Sequence, residues 1–275
     1  MTIIAQITDL HIREPGRLAY KRINTAPYLE RAVNTLMTQK QKVDALIVTG
    51  DLCDFGRESE YDHLQRLLQP LDCPVYLMPG NHDNREQLRR SFDTHTYLQQ
   101  HHGEQIYYSV KIGVVQLIAL DTAVLGKSYG ELDKTQLQWL DRQLNQSQGA
   151  PVIIAMHHPP FNTLIGHMDK IGLLKGTTEL AEIVKKYPNV ERVICGHLHR
   201  SIDVRFAGTI ASTAPSVAHQ VALDIDPNAA SCWVLEPPAY KLHIWQEDGP
   251  LVSHLAYVDN YDGPYPFYEN GQLID

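Results

Sequence analysis

Cysteine is scarce in this chain and badly spaced for bonding. Among 275 residues there are 4 cysteines. Cys53, Cys73, Cys195 and Cys232 form no CxxC pair and no dense framework, which excludes a disulfide-stapled scaffold. Basic charge is also short. Lys and Arg number 24 against 32 Asp and Glu, a formal net charge of −8, so no nucleic-acid partner is expected on electrostatic grounds. No apolar run reaches the length of a membrane span, so no membrane partner is expected. The first apolar run starts at Ile3 and meets a polar strand end at Asp9, which leaves no room for a signal peptide. These absences together predict free thiols and a cytoplasmic protein. Internal repeats and low-complexity tracts are missing too.

Histidine, by contrast, is abundant, with 14 copies. Six of them sit where short apolar runs end. Ile3 to Thr8 leads into Asp9-Leu10-His11. Ala45 to Val48 leads into Thr49-Gly50-Asp51. Val75 to Met78 leads into Pro79-Gly80-Asn81-His82-Asp83. Val152 to Met156 leads into His157-His158-Pro159, and Val193 to Cys195 into Gly196-His197-Leu198-His199. Apolar runs rich in β-branched residues read as buried strands. Open α/β sheets gather ligands at such strand ends.

Helical spacing fills the intervals. Leu29, Ala32, Val33 and Leu36 predict a helix over about 26–40. Leu64, Leu67, Leu68 and Leu71 predict a second, with Ser59 as its cap. The polar stretch from Asn84 to Gln100 is expected to be helical. Strands are expected over 106–110 and 114–120, with a turn at Lys111 to Gly113. Asp133 with Gln136 resembles a capping box ahead of Leu137, Leu140 and Leu144. Residues 162–176 read as a loop over the site. Leu180, Ile183, Val184 and Tyr187 mark a further helix. Residues 202–210 alternate, with a turn at Ala207-Gly208. A hairpin is expected over 232–246 around Pro237-Pro238. Strands alternating with helices imply a parallel core, hence an α/β fold. The division expected is a catalytic domain over 1–215 and, over 216–275, C-terminal strands with an aromatic tail. That tail, Tyr257 to Tyr268, would pack on the body or on a partner subunit, making a homo-oligomer.

Asp9, His11, Asp51, Asn81, His157, His197 and His199 offer oxygen and nitrogen donors. Shared between two ions with Asp51 common to both, they give each ion four protein ligands. This donor set suits Fe, Mn, Zn or Co without any thiolate. Two such ions roughly 3.5–4 Å apart activate a bridging hydroxide and clamp phosphoryl oxygens. His158 is expected to face away from the site in a supporting role. Asp121 is at best a supporting residue, and His219 lies in a loop that could reach substrate.

The ordered series Asp9-x-His11, Gly50-Asp51, Gly80-Asn81-His82-Asp83, His157 and Gly196-His197-x-His199 resembles the calcineurin-like metallophosphoesterase superfamily. Within it the chain is similar to the class III cyclic nucleotide phosphodiesterases and the related glycerophosphodiesterases. Protein phosphatases follow Gly-Asp with Asp-Arg-Gly, whereas this chain has Asp54-Phe55-Gly56. The resemblance implies a four-layer sandwich of two mixed β-sheets flanked by helices. It implies Asp9, His11, Asp51 and His199 on one metal, and Asp51, Asn81, His157 and His197 on the other. It further implies His82 on the phosphate and leaving oxygen, with Asp83 orienting its neighbours. The expected activity is hydrolysis of small-molecule phosphodiesters, either 3′,5′-cyclic nucleotides or glycerophosphodiesters, with Asp51, Asn81 and His82 central to catalysis. A phosphomonoesterase of the same superfamily is the alternative. A catalytically silent scaffold is a weaker one, since no ligand position is vacant.

Overall fold

The computed structural model describes residues 1–101, 103–247, 249–259 and 261–274. The chain opens with β1 (Thr2–Ile7), α1 (Ala26–Thr38), β2 (Ala45–Thr49), α2 (Glu58–Leu68) and β3 (Val75–Met78). α1 forms because Ala26, Leu29, Ala32, Val33 and Leu36 make one apolar face, and these are its buried residues. Pro27 sits in its first turn, where an amide hydrogen has no helical partner to lose. Ser59 does not cap α2. Glu60 does this work, its Oε2 accepting from Phe55 N at 3.0 Å and Arg57 N at 3.1 Å.

Next come α3 (Arg85–Ser91), β4 (Tyr108–Ile112), β5 (Val115–Leu120), α4 (Lys134–Gln146), β6 (Val152–Met156), α5 (Thr177–Val184) and β7 (Val190–Cys195). The chain then adds β8 (Ile202–Phe206), β9 (Thr209–Thr213), β10 (Ala239–Trp245) and β11 (Val252–Tyr257). The first sheet runs β11-β10-β1-β2-β3 and the second β8-β9-β7-β6-β5-β4. In the first, β1, β2 and β3 are parallel and β10 is antiparallel to β1. In the second, β5, β6, β7 and β9 are parallel, with β4 and β8 as antiparallel edges. The fold is therefore mixed α/β with two large mixed sheets flanked by helices. The sheets face each other across a continuous apolar core.

Several expected elements change. The long helix over 84–100 is α3 followed by a short 3-10 turn, Thr96–Gln99. Arg89 interrupts it, donating to Leu98 O at 3.0 Å and Gln105 O at 2.9 Å, so backbone carbonyls there turn toward a guanidinium rather than along a helix. The β4–β5 turn falls at Gly113, whose φ of +56° suits glycine, one step later than the spacing suggests. The hairpin around Pro237-Pro238 does not form. Trp233–Val234 pairs with Gln220–Val221, and β10 inserts between β1 and β11. The prolines end one extended pairing and start another without reversing the chain. Residues 162–176 are more ordered than a loop: they hold a one-turn helix, Gly166–Asp169, and a strand, Leu173–Lys175, paired with Gly130–Glu131. Tyr257, Tyr261, Tyr265, Phe267 and Tyr268 are all exposed.

Polar contacts join the two sheets inside the core. Gln6 of β1 donates to Thr49 Oγ1 and to Cys195 O of β7, both at 3.0 Å. Gln6 Oε1 in turn lies 3.0 Å from His243 Nε2 of β10, while His243 Nδ1 lies 2.7 Å from Ser253 Oγ. Burial holds the His243 pKa well below its usual value, with the nearby Arg192 and Lys241 charges adding to the effect. An unfolded histidine titrates near 6.5. Below that pH the unfolded chain binds a proton that the folded chain refuses, so stability is lost as pH falls. Urea denaturation at pH 7 and pH 5 will show a loss of up to about 2 kcal/mol from this group. The loss will be smaller in His243→Asn.

Candidate metal centre

All seven expected ligands lie within four residues beyond strand ends, and the geometry there is not that of a strand. β1 stops at Ile7 and β7 at Cys195. Asp9, His11, Asp51, His197 and His199 all have left-handed backbone, with φ of 54°, 45°, 50°, 68° and 52°. Alternation along a strand therefore does not aim Asp9 with His11, or His197 with His199. Left-handed residues on either side of Leu10 and of Leu198 do. Such backbone costs about 1–3 kcal/mol per residue and persists only where its surroundings fix it. Here Asp9 N donates to Gly50 O at 3.1 Å and His11 N to Asp51 O at 3.0 Å. Thr25 Oγ1 donates to His11 O and Ser216 Oγ to Asp9 O, both at 2.9 Å.

Asp51 is the centre of the arrangement. Its Oδ1 accepts from His82 N at 3.0 Å. Its Oδ2 lies 3.7 Å from His11 Nε2 and 3.4 Å from His157 Nε2, so one oxygen faces both halves of the site. On one side His11 Nε2 lies 3.3 Å from His199 Nε2, which is 3.4 Å from Asp9 Oδ1. On the other, His157 Nε2 lies 3.2 Å from Asn81 Oδ1, and the His157 and His197 rings are 5.2 Å apart. A Cβ on Gly80 would sit on the Asp51 carboxylate, and one on Gly50 against the His157 ring. These two glycines permit the close approach.

Each imidazole's second nitrogen fixes which atom points inward. His157 Nδ1–H donates to Thr49 O at 2.8 Å and His199 Nδ1–H to His219 O at 2.9 Å, leaving both Nε2 lone pairs free. His197 Nε2 is buried with no hydrogen-bond partner among the described residues. Inward-facing imidazole nitrogens and an orphaned buried nitrogen are donors that a cation between them would satisfy. The donor set therefore fits a divalent metal centre. Asp9, His11 and Asp51 offer donor atoms within 4.8 Å of one another, as do His11, His199 and His219, and also His157, His158 and His197.

Electrostatics agree with the geometry. Burial would raise the Asp51 pKa, but His157, His82 and His11 hold it well below the usual carboxylate range. His157 is pushed up to about 9: burial opposes its charge, and the Asp51 carboxylate outweighs burial. Asp83 accepts from Gly80 N at 2.8 Å, Leu52 N at 3.1 Å and Tyr61 Oη at 2.9 Å. Burial and the Asp51 charge raise its pKa to about 6.

His158 does not face away. Its ring lies 4.6 Å from that of His197. Both its nitrogens are already engaged, Nδ1 with Thr122 Oγ1 at 2.8 Å and Nε2 with Ser128 O at 3.1 Å. Burial and the neighbouring His157 push its pKa down to about 3, so it stays neutral. Asp121 grips Arg85 Nε at 2.6 Å and Nη2 at 2.9 Å and takes no part in the cluster. Asp54 was not singled out in the sequence, although it stands three places after Asp51. Its Oδ1 lies 3.3 Å from His11 Nδ1, its Oδ2 accepts from Arg13 at 3.2 Å, and its carbonyl accepts from His82 Nδ1–H at 2.8 Å. Tyr20, Ser128, His167 and Trp233 line the pocket as well. No local pattern marks them, because they arrive on loops from distant parts of the chain.

A two-sheet α/β body with a His/Asp/Asn cluster on one rim defines a metallophosphoesterase. The match to known families agrees: residues 2–201 fit the Calcineurin-like phosphoesterase family, and the chain belongs to it. It is 38% identical over 274 residues to a probable glycerophosphodiester phosphodiesterase from Arcobacter nitrofigilis, covering 99% of this chain and 100% of that one. It is 30% identical over 255 residues to a 3′,5′-cyclic-nucleotide phosphodiesterase from Nostoc, covering 93% and 92%. Among solved structures a dimetal phosphatase from Danio rerio shares the fold, with TM-score 0.67 at 16% identity, covering 94% of this chain and 99% of that one.

Gly80→Ala tests the close approach at Asp51. Displacing that carboxylate will weaken divalent metal binding by about 10–100-fold, the range seen when support for a ligand is lost. Equilibrium dialysis with metal analysis measures it, with circular dichroism to show that the fold remains.

Proposed function

We propose that the protein is a dinuclear-metal phosphodiesterase acting on small diesters, either glycerophosphodiesters or cyclic nucleotides. The observation that carries this reading is Asp51 Oδ2 set between His11 Nε2 and His157 Nε2 at 3.7 and 3.4 Å, a carboxylate shared by two half-sites. Asp9, His11, Asp51 and His199 would hold one ion, and Asp51, Asn81, His157 and His197 the other. The mixed nitrogen and oxygen donors accommodate Fe, Mn, Zn or Co. When bound, such ions supply Lewis acidity to water and to the phosphoryl oxygens. The names of the Arcobacter and Nostoc relatives support the substrate class.

The chain's own residues do the rest. His82 is partly exposed beside this cluster, and its Nδ1–H is spent on Asp54 O at 2.8 Å. Its Nε2 is left to face a phosphate oxygen or a departing alkoxide, and in the imidazolium form it carries the second N–H that such an oxygen would take. Asn81 presents Oδ1 inward and lines the pocket mouth. The apolar faces of Met168, Ile171 and Trp233 close the pocket to about 230 Å³, which favours small substrates. The protein is further read as cytoplasmic, in keeping with its free cysteines. It is also read as a homo-oligomer joined through the exposed rings of Tyr261, Tyr265, Phe267 and Tyr268.

Asn81→Ala will reduce turnover of bis(p-nitrophenyl) phosphate by at least about 10²-fold while the melting temperature stays within a few degrees. Undiminished activity would remove the phosphodiesterase reading. Sedimentation of a chain ending at Asp259 checks the assembly: it will sediment as a lighter species than the full chain.

A further inference from the structure

We propose that Glu60, a buried carboxylate on α2, is a positioning residue for His82. It acts through the single peptide group that joins Asp54 to Phe55. The inference rests on the phosphodiesterase reading above, in which His82 serves the departing oxygen, and adds what aims that ring.

A partly exposed imidazole with nothing on Nδ1 turns and exchanges tautomers. His82 is held instead. Its backbone N donates to Asp51 Oδ1 at 3.0 Å, and its ring meets that of His11 edge-on at 4.7 Å. Nδ1 lies 2.8 Å from the Asp54 carbonyl but 3.9 Å from the Asp54 carboxylate. The orienting group is therefore backbone. What fixes a backbone carbonyl is whatever fixes its peptide plane.

That plane has two ends. The C=O of Asp54 and the N–H of Phe55 belong to one rigid trans unit and point in opposite directions. Glu60 Oε2 accepts from Phe55 N at 3.0 Å and so turns the carbonyl end toward His82. A charged acceptor on the N–H also polarises the unit and strengthens its carbonyl. Capping of α2 explains the contact of Oε2 with Arg57 N at 3.1 Å. Phe55 lies outside that helix and needs no cap.

Glu60 is itself fixed. It is 0% exposed, and a buried carboxylate needs a counter-charge. Arg13 supplies it, with Nε 2.9 Å from Glu60 Oε1, as an ion pair rather than an aligned hydrogen bond. The same guanidinium reaches Asp54 Oδ2 and Glu14 Oε2, both at 3.2 Å, and lies 4.4 Å from the centre of the Phe55 ring. Gly56 lets this loop close on the histidine segment: a Cβ there would stand 2.7 Å from Asn84 N and 3.1 Å from His82 O. Arg13, Glu60 and the 54–55 peptide thus form a chain that ends on His82 Nδ1.

In hydrolysis the oxygen of water joins phosphorus, and the P–O electron pair leaves with the ester oxygen. The His82 imidazolium gives that oxygen its Nε2 proton and becomes neutral, and the proton lost by the water balances the count. A strongly basic leaving oxygen needs this proton far more than p-nitrophenolate does. A misaimed Nε2 therefore harms the first most.

The test uses the metal-loaded enzyme with methyl phenyl phosphate and methyl p-nitrophenyl phosphate. Glu60→Asp keeps the charge but is one methylene short of Phe55 N. It will lower kcat on the phenyl ester by at least about tenfold and stay within about threefold on the p-nitrophenyl ester. Glu60→Gln keeps the reach, and its amide oxygen will rescue the phenyl ester to within about threefold of the wild type. In a His82→Ala background Glu60→Asp will cost no further activity, because its effect passes through that ring. Metal content, measured in each variant, will match the wild type. With Zn bound and the ring neutral, nitrogen NMR will show His82 in the Nδ1–H form in the wild type and as a tautomer mixture in Glu60→Asp. Arg13→Lys carries the same comparison should Glu60→Asp not fold. Equal losses on the two esters, a loss that persists without His82, depleted metal, no rescue by Glu60→Gln, or no loss at all overturns the role of Glu60 and leaves the phosphodiesterase reading intact. Failure of the wild type to hydrolyse either ester, with metal bound, overturns that reading and this inference with it.

Discussion

The structure depends on keeping one ionised carboxylate, Asp51, buried at the meeting point of two sheets. A buried carboxylate without partners costs several kcal/mol, more than most single interactions return. Asp51 is 2% exposed. Its charge is offset by His157 and His11 on Oδ2 and by the His82 amide on Oδ1. These partners do not reach it from relaxed backbone. Asp9, His11, Asp51, His197 and His199 all carry positive φ. The strain is affordable because the loops are tied to one another: Asp9 to Gly50, His11 to Asp51, and Ser216 N to His199 O at 3.3 Å. The polar cluster and the strained backbone fix each other, and the apolar core beneath supplies the stability that both draw upon.

The cluster is also an inter-sheet contact. Asp9, Asp51 and Asn81 follow β1, β2 and β3 of the first sheet. His157, His197 and His199 follow β6 and β7 of the second. The two rims must stay in register, and small groups hold them there. Gly196 N donates to His157 O at 3.1 Å, and a Cβ on Gly196 would crowd Thr49 O at 2.6 Å. Gln6 spans the gap below. A shift between sheets would therefore separate the ligands before it exposed much core. This couples the packing of the body to the site.

Much of this was legible in the sequence because strand ends carry their own mark. An apolar run halted by Gly-Asp, Gly-Asn-His-Asp or Gly-His-x-His is a local pattern, and the parallel order of β1, β2 and β3 follows from the helices between them. What stayed hidden lay in contacts between distant segments. Nothing near Asp54 says that His11, 43 places upstream, will turn its Nδ1 toward it. Nothing near Pro237 says that β10 will leave its neighbour Trp233 and pair with β1, whose partners lie more than 230 residues away. The backbone at Asp9 and His197 is hidden for a related reason. Left-handed φ in Asp and His is imposed by surroundings, and a lone propensity cannot show it. Helix breaks such as that after Ser91 depend on a single guanidinium finding carbonyls ahead of it.

Nitrogen accounting separates ligands from bystanders better than position does. His157 and His158 are adjacent, both wholly buried, and their rings lie 4.9 Å apart. By proximity each is an equal candidate. By hydrogen bonding they differ. His157 spends Nδ1 on a carbonyl and keeps Nε2 for the centre, whereas His158 spends both nitrogens on Thr122 and Ser128. Burial lowers both pKa values, and the Asp51 carboxylate at contact distance outweighs it at His157 alone. His219 illustrates a third state. Its carbonyl orients His199, while its own Nδ1 is buried with no partner among the described residues. It therefore supports the centre through its backbone and turns its ring toward the pocket it shares with Tyr20 and Trp233, at 5.2 and 5.5 Å. The same residue type thus stands as candidate ligand, as prop and as pocket wall within one rim, and what separates the parts is which lone pairs the backbone has already claimed.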